Sequence, residues 1–282
     1  MSLIDKLKLL RSPMARAKFD SRYGIGRIEE AIASKWFNPF ATLWLNLRSL
    51  PFSKALRLPV FVYGHPNIYS LSGRIVFECP LKTGMIKFNY SAAGAPQNMS
   101  AQSEILNQGT IIFHGGGLIG TGNKLRIGFG AVLELGRDFK ITDSCNISCF
   151  KKIVIGDNSW IVHRSQVMDT NFHFVADLNR GEIPPLKKDI SIGKHSWICN
   201  SSSILGGAKL PDYSIVASGS LVNKDYSGQP QSTFFAGVPA IPVKTGYIRV
   251  DNHILEQKIW NFYRTHGEIP FPIDKNIGLE DL

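Results

Sequence analysis

Apolar residues recur every six positions in this chain. Ile155, Ile161 and Val167 are spaced by six, and after an interruption so are Ile192, Ile198, Ile204, Leu210, Val216 and Val222. A small residue stands four places after most of them: Ser159, Ser165, Ser196, Ser202, Ala208, Ser214 and Ser220. Glycine directly follows Ile155 and Ile192, and an earlier run, Ile127, Leu133, Phe139 and Cys145, keeps the spacing less cleanly. Six is neither the roughly 3.6-residue period of a helix nor the two-residue alternation of a hairpin sheet. It fits a coil with three flat faces, one hexad to a face. Every sixth side chain then points inward and stacks on its equivalent in the next turn. The residue four further on meets a tight corner and has to be small.

Composition narrows the class further. Hydrophobic residues make up 44% and charged residues 19% of the 282 residues, which excludes a disordered chain. No apolar run approaches the roughly 18 residues a spanning helix needs. The opening MSLIDKLKLLRSP mixes charge into its apolar residues and lacks a secretory pattern. The four cysteines form no CxxC pair. A cytoplasmic protein is expected. The net charge is +10, and residues 1–60, with eleven Lys/Arg against four Asp/Glu, account for +7 of it.

Three parts follow. Residues 1–58 read as a helical, basic and aromatic arm, residues 59–245 as the coiled β domain, and residues 246–282 as a helix and tail. Within the last part, residues 251–266 form the expected helix. Asp251 or Asn252 caps its start, and Gly267 and Pro270 end it. The arm's Trp36, Phe37, Phe40, Trp44, Leu45 and Phe52 stand among Arg48, Lys54 and Arg57. That mixture suits a helix closing the open end of the coil, and it suits peripheral contact with the inner face of a membrane. Nucleic acid is not expected as a partner, because the repeat carries no basic stripe and no reader motif.

The period breaks once. Val167 and Ile192 are 25 residues apart, and the intervening DTNFHFVADLNRGEIPPLKKD is polar and contains Gly181, Pro184 and Pro185. It reads as a loop, residues 170–190, extruded from one coil. Such loops in compact repeats usually carry function. His173 lies at its start.

The stretches IVIGDNSWIVHRSQVMDTNFH, ISIGKHSWICNSSSILGGAKLPDYSIVASGSLVNKD and AGVPAIPVK resemble the hexapeptide-repeat acyltransferases. The sugar O-acetyltransferases of the galactoside, maltose and capsule type match best, over roughly residues 70–245. The resemblance implies a left-handed parallel β-helix, a homotrimer, acetyl-CoA as acyl donor, no metal, and a sugar or glycan-precursor acceptor. It places the catalytic base at His173. Of the acidic pair that capsule-type members carry before this histidine, Asp169 matches and Asn171 departs. Asp169 is then expected to orient the ring. The positions matching the family's donor contacts are Trp197, Asn200, Ser218, Gly219, Asn223 and Lys224. The family's basic residue after the closing Ala-Gly-Val-Pro-Ala is replaced by Ile241, with Lys244 as a substitute.

One imidazole suffices for such chemistry. A thioester is already activated, and a base with an ordinary pKa of about 6.5 can take the attacking hydroxyl's proton. Three other readings keep the fold: N-acetylation of an amino sugar, a zinc-dependent hydratase, and a non-catalytic scaffold. The hydratase uses a close histidine pair, whereas His163, His173 and His195 are spaced by 10 and 22. His163 and Arg164 face an acceptor, a subunit seam or solvent. His195 is expected to be exposed at a corner, and His114 in FHGGG and the glycines of GGGLIGTG to be structural.

Overall fold

The computed structural model describes residues 36–90, 101–274 and 277–282. Most of the expected arm, residues 1–35, lies outside the described residues.

From Val60 onward the chain winds into a three-sided prism. One face holds nine strands, the second seven and the third six. Up to the closing hairpin, successive strands along the chain lie on different faces and pair in parallel with strands one turn below or above. The hexad residues are its inward columns. Ile147, Val167, Ile204 and Val222 align on the seven-stranded face. Ile141, Ile161, Ile198, Val216 and Phe235 align on the nine-stranded face. Ile155, Ile192 and Leu210 align on the six-stranded face. All of them are buried, as are Ile127, Leu133, Phe139 and Cys145 of the less regular run. Each such aliphatic side chain stabilises the fold by about 1.5–3 kcal/mol. The fold class read from the period is the one observed: mainly β, a parallel β-helix of hexapeptide repeats with helices before and after it.

The corners use two further positions of each hexad. Three residues after the inward one, the backbone enters the left-handed region: Asn158, Arg164, His195, Ser201 and Tyr213 have φ between 53° and 60°. Each side chain held there costs about 1–2 kcal/mol. Gly207 and Gly219 occupy the same place at φ 95° and 72°. One residue later comes the small side chain, and it does more than fit. Ser165 Oγ donates to Cys199 O at 2.9 Å and accepts from Ser202 N at 3.2 Å. Ser159 Oγ does the same with Gly193 O and Ser196 N, at 2.8 and 3.1 Å. The serines stitch one coil to the next.

The glycine run at 115–117 is packing. Phe77, Phe113 and Phe139 stack through the core with centroids 5.2 and 5.9 Å apart. A Cβ on Gly117 would lie 2.1 Å from the Phe139 ring.

Both ends are closed. At the base, helix α1 (Pro39–Ser49) lies across the first coil and plugs it with Leu45, which is fully buried. A second short helix, α2 (Phe52–Ala55), leads into the first strand. At the top, Thr233–Gly237 pairs antiparallel with Ala240–Thr245. Helix α3 (His253–His266) follows, capped by Asn252, whose side chain accepts from Ile254 N and Leu255 N, and it ends at Gly267. It starts two residues later than residue 251, because Asn252 is the cap rather than the first turn.

Candidate active site

The break in the period falls at the corner between the seven- and six-stranded faces. The chain leaves the prism at Asp169 and returns at Ile190, so the excursion is residues 169–189, one residue earlier at each end than the expected 170–190. It is an arm with internal structure. Lys188 N donates to Asp169 O at 2.9 Å, and Thr170 bridges Lys187, which closes its root. Further out, Asp177 and Glu182 exchange both backbone bonds, and the Asp177 carboxylate accepts from Asn179 N and Arg180 N. Gly206 lets the root sit tight against the next coil, since a Cβ there would meet Asp169 O at 3.1 Å.

A cleft of about 260 Å³ lies between this root and the coil above. Asn171, Pro185 and Lys188 line it from the arm, and Leu205, Gly206 and Asn223 line it from the prism. Asn171 and Asn223 thus share one cleft. His173, two residues along the chain from Asn171, is exposed, is not among the residues that line the cleft, and makes no hydrogen bond among the described residues. Phe172, with φ 60°, packs edge-on against Phe150 at 5.0 Å and steers the chain outward there.

Asp169 holds this corner from within. It is fully buried, and its carboxylate accepts from Phe150 N and Lys151 N, both at 2.7 Å. Burial pushes its pKa up, and the two backbone N–H groups hold it back. Both oxygens are thus spent on the corner below, and no bond links them to the His173 ring. The neighbouring Cys149 thiol is pushed well above its usual range by burial, and Asp169 adds to that shift.

The expected donor contacts divide between two edges. Asn200, Ser218 and Gly219 stack on the edge between the nine- and seven-stranded faces, where Gly219 N donates to Asn200 O at 2.9 Å. His163 and Arg164 lie one coil lower on the same edge, with Ser201 N donating to His163 O. Ser218 N has no acceptor among the described residues and is free to bind a carbonyl. Asn223 and Lys224 lie instead on the edge that carries the arm, and both are exposed. Trp197 is half-buried on the nine-stranded face, in register between Trp160 and Ile215. This set fits an extended thiol-ester donor only in part within one chain: a backbone donor and an indole at one edge, a cation at the next.

His195 is not the exposed corner residue expected. It stacks on Tyr213 with centroids 4.7 Å apart, and its Nδ1 lies 3.4 Å from Asp251 Oδ2. Burial lowers its pKa. Asp251 also pairs with Arg249, which covers the Trp160 ring at 3.8 Å. The segment after the hairpin is thereby strapped onto the nine-stranded face. Arg249 is itself brought down to about 10 by burial. Residues His163, His173 and His195 occupy three different edges of the prism, so they do not converge within one chain. Among the described residues no group of three His, Cys, Asp or Glu is placed to hold a metal ion. His114 lies between Glu78 and Glu134, at 3.5 and 3.7 Å, on the outside of the six-stranded face.

Sequence reasoning missed Lys188, Leu205 and Gly206 as cleft residues. Lys188 alone carried a signal, as one of two adjacent lysines where the loop rejoins the repeat.

Several solved structures are similar to this chain. The polySia specific acetyltransferase NeuO is 21% identical, over 73% of this chain and 97% of that one, with a TM-score of 0.43. A galactoside acetyltransferase in complex with coenzyme A is 24% identical, over 42% and 63%, with a TM-score of 0.35. AntD, an N-acyltransferase from Bacillus cereus in complex with dTDP and 3-hydroxybutyryl-CoA, is 14% identical, over 73% and 89%, with a TM-score of 0.37. No protein-family model matches the chain, and neither does any curated protein sequence.

Proposed function

We propose that this protein moves an acetyl group from acetyl-CoA to a sugar hydroxyl in surface-glycan assembly, such as capsule or lipopolysaccharide. It does so as a cytoplasmic homotrimer with His173 as general base. The observation that carries the reading is the place where the ladder opens. The arm leaves the prism at one edge, His173 stands at its root, and a cleft with Asn171, Lys188 and Asn223 lies beside it.

The acceptor's hydroxyl oxygen bonds to the thioester carbonyl carbon while His173 takes its proton. The carbon–sulfur bond breaks, and the proton passes to the departing thiolate. The products are an acetyl ester and free CoA. Backbone N–H groups such as that of Ser218 suit carbonyl oxygens of the donor, and Lys224 suits a phosphate. Asp169 acts by holding the corner from which His173 projects, so it is a positioning residue.

Two features support a trimer. The donor contacts lie on two edges, and a groove between adjacent copies can join one copy's edge to the other edge of its neighbour. The arm also exposes Phe174, Val175, Leu178 and Ile183, an apolar set that a second copy would bury.

The test is mass spectrometry of a panel of mono- and oligosaccharides incubated with the protein and acetyl-CoA. An acetyl ester that is labile to mild base supports the reading. A base-stable amide on an amino sugar would replace O- by N-transfer, and no acetylated product with any acceptor, alongside intact folded trimer, would reject it.

A further inference from the structure

Helix α1 turns polar side chains inward beside its apolar plug. Its inner face carries Thr42, Asn46 and Ser49 along with Leu45, all buried. Thr42 and Asn46 meet the open edge of the first strand, whereas Ser49 Oγ has no partner among the described residues. Asn46 Nδ2 donates to Val60 O at 2.7 Å, Asn46 Oδ1 accepts from Val60 N at 3.2 Å, and Thr42 Oγ1 accepts from Val62 N at 2.9 Å. A bare strand edge needs such partners, so the inner face is polar for a reason the fold supplies. The fold supplies none for the outer face. There Phe40, Leu43, Trp44 and Leu47, at i, i+3, i+4 and i+7, form an exposed apolar stripe, with Phe40 83% and Trp44 56% accessible. Phe52 of α2 and Leu56 just after it are exposed as well.

Charge indicates what covers this stripe. Arg48, Lys54 and Arg57 flank it, with the Arg48 guanidinium 5.9 Å from the Trp44 ring. No Asp or Glu occurs from residue 31 to residue 77, and the preceding 35 residues add eight further cations against four acids. A second copy of the chain would bring the same uncompensated positive charge to the contact. An anionic lipid surface brings the opposite charge and takes aromatic side chains at its headgroup level.

We infer that the base of the prism docks end-on onto an anionic membrane surface through the outer face of α1, with Phe40 and Trp44 inserted at the interface. No described helix is long and apolar enough to cross the bilayer. The cleft at the arm then stands roughly 20 Å above the first coil, four strand spacings up the prism, with the thickness of α1 between that coil and the lipid.

The test is co-flotation of the full-length protein with vesicles of phosphatidylglycerol and phosphatidylcholine, against phosphatidylcholine alone, with size and far-ultraviolet circular dichroism followed in parallel. Binding is expected on the anionic vesicles at low salt, with release at high salt. Phe40→Ser/Trp44→Ser should weaken it by about tenfold or more without changing the fold, because both side chains are exposed. Each of Arg48→Gln, Lys54→Gln and Arg57→Gln should cost roughly fivefold. Absence of flotation on anionic vesicles, or flotation untouched by the double substitution, would overturn the inference. So would a double variant that breaks up an oligomer of the lipid-free protein, because the stripe would then be covered by another copy.

Discussion

Replacing Asp169 by alanine should loosen the prism more than it slows the chemistry. Its carboxylate accepts two backbone bonds at 2.7 Å, from Phe150 N and Lys151 N, inside a fully buried side chain. A hydrogen bond to a charged acceptor contributes about 1.5–3 kcal/mol. Water can reach the freed donors in part, because Phe150 is half-buried and Lys151 exposed. The burial that raises the carboxyl's pKa is a cost that alanine removes. The net loss is therefore about 2–3 kcal/mol, short of the full worth of two such bonds. Asparagine keeps one acceptor but turns an N–H toward the second donor, so it should cost at least the one bond it loses, about 1.5 kcal/mol or more. Urea unfolding at fixed protein concentration, followed by circular dichroism, reads the loss. Thiol release from acetyl-CoA reads the rate on the same preparations. Per folded molecule, Asp169→Asn should stay within about fivefold of the original rate, far from the roughly 10²–10⁴-fold loss of a general base. If Asp169→Ala unfolds with the unmodified protein while its rate falls a hundredfold, the carboxylate serves the His173 ring and the reasoning fails.

Ser165→Ala should cost about 1 kcal/mol, because it removes the stitch between Cys199 O and Ser202 N, whereas Ser196→Ala should be neutral, since Ser196 Oγ has no partner among the described residues. Thermal melts of the two variants side by side check this. Burial holds the His195 pKa below its ordinary value of 6.5, so the unfolded chain binds the proton more readily. Stability from this site is present above about pH 6.5 and is lost as pH falls toward the lowered folded value. In His195→Asn, which tolerates the corner's φ of 54°, that part of the pH dependence should vanish from melts taken between pH 5 and 8. Gly117→Ala should destabilise by about 1–3 kcal/mol through its clash with Phe139, and Phe139→Leu in the same chain should recover part of the loss. Equal effects in both backgrounds would deny that the two positions touch.

The prism was legible because its core repeats. A side chain every six residues can stack only on its equivalent one coil away, so Ile198 and Val216, three hexads apart, find each other from spacing alone. The corners were legible only by size. That Ser165 bonds across coils, or that Arg164 and His195 sit at positive φ, depends on backbone geometry the spacing does not encode. The arm was legible as an interruption, and its root and tip were not, since the Thr170–Lys187 and Asp177–Glu182 bridges are backbone contacts without a side-chain signature. Asp169 illustrates the limit. A carboxylate four residues before a histidine invites a pairing, and only the fold reveals the two closer N–H groups that occupy it. The outer stripe of α1 was visible as composition, but its direction was hidden, because the helix turns Thr42 and Asn46 inward beside Leu45 and leaves its other large apolar side chains outside.

The central claim is that acetyl transfer takes place at the arm's root with His173 as base. Its most direct test is the rate of His173→Ala with acetyl-CoA and an acceptor that the unmodified protein acetylates. His173 is exposed and unbonded, so the variant should keep its fold, its oligomeric state and its CoA affinity. The kcat should fall by about 10²–10⁴-fold. A variant that keeps more than about half of the original rate would contradict the account, because the removal of a general base costs far more than that.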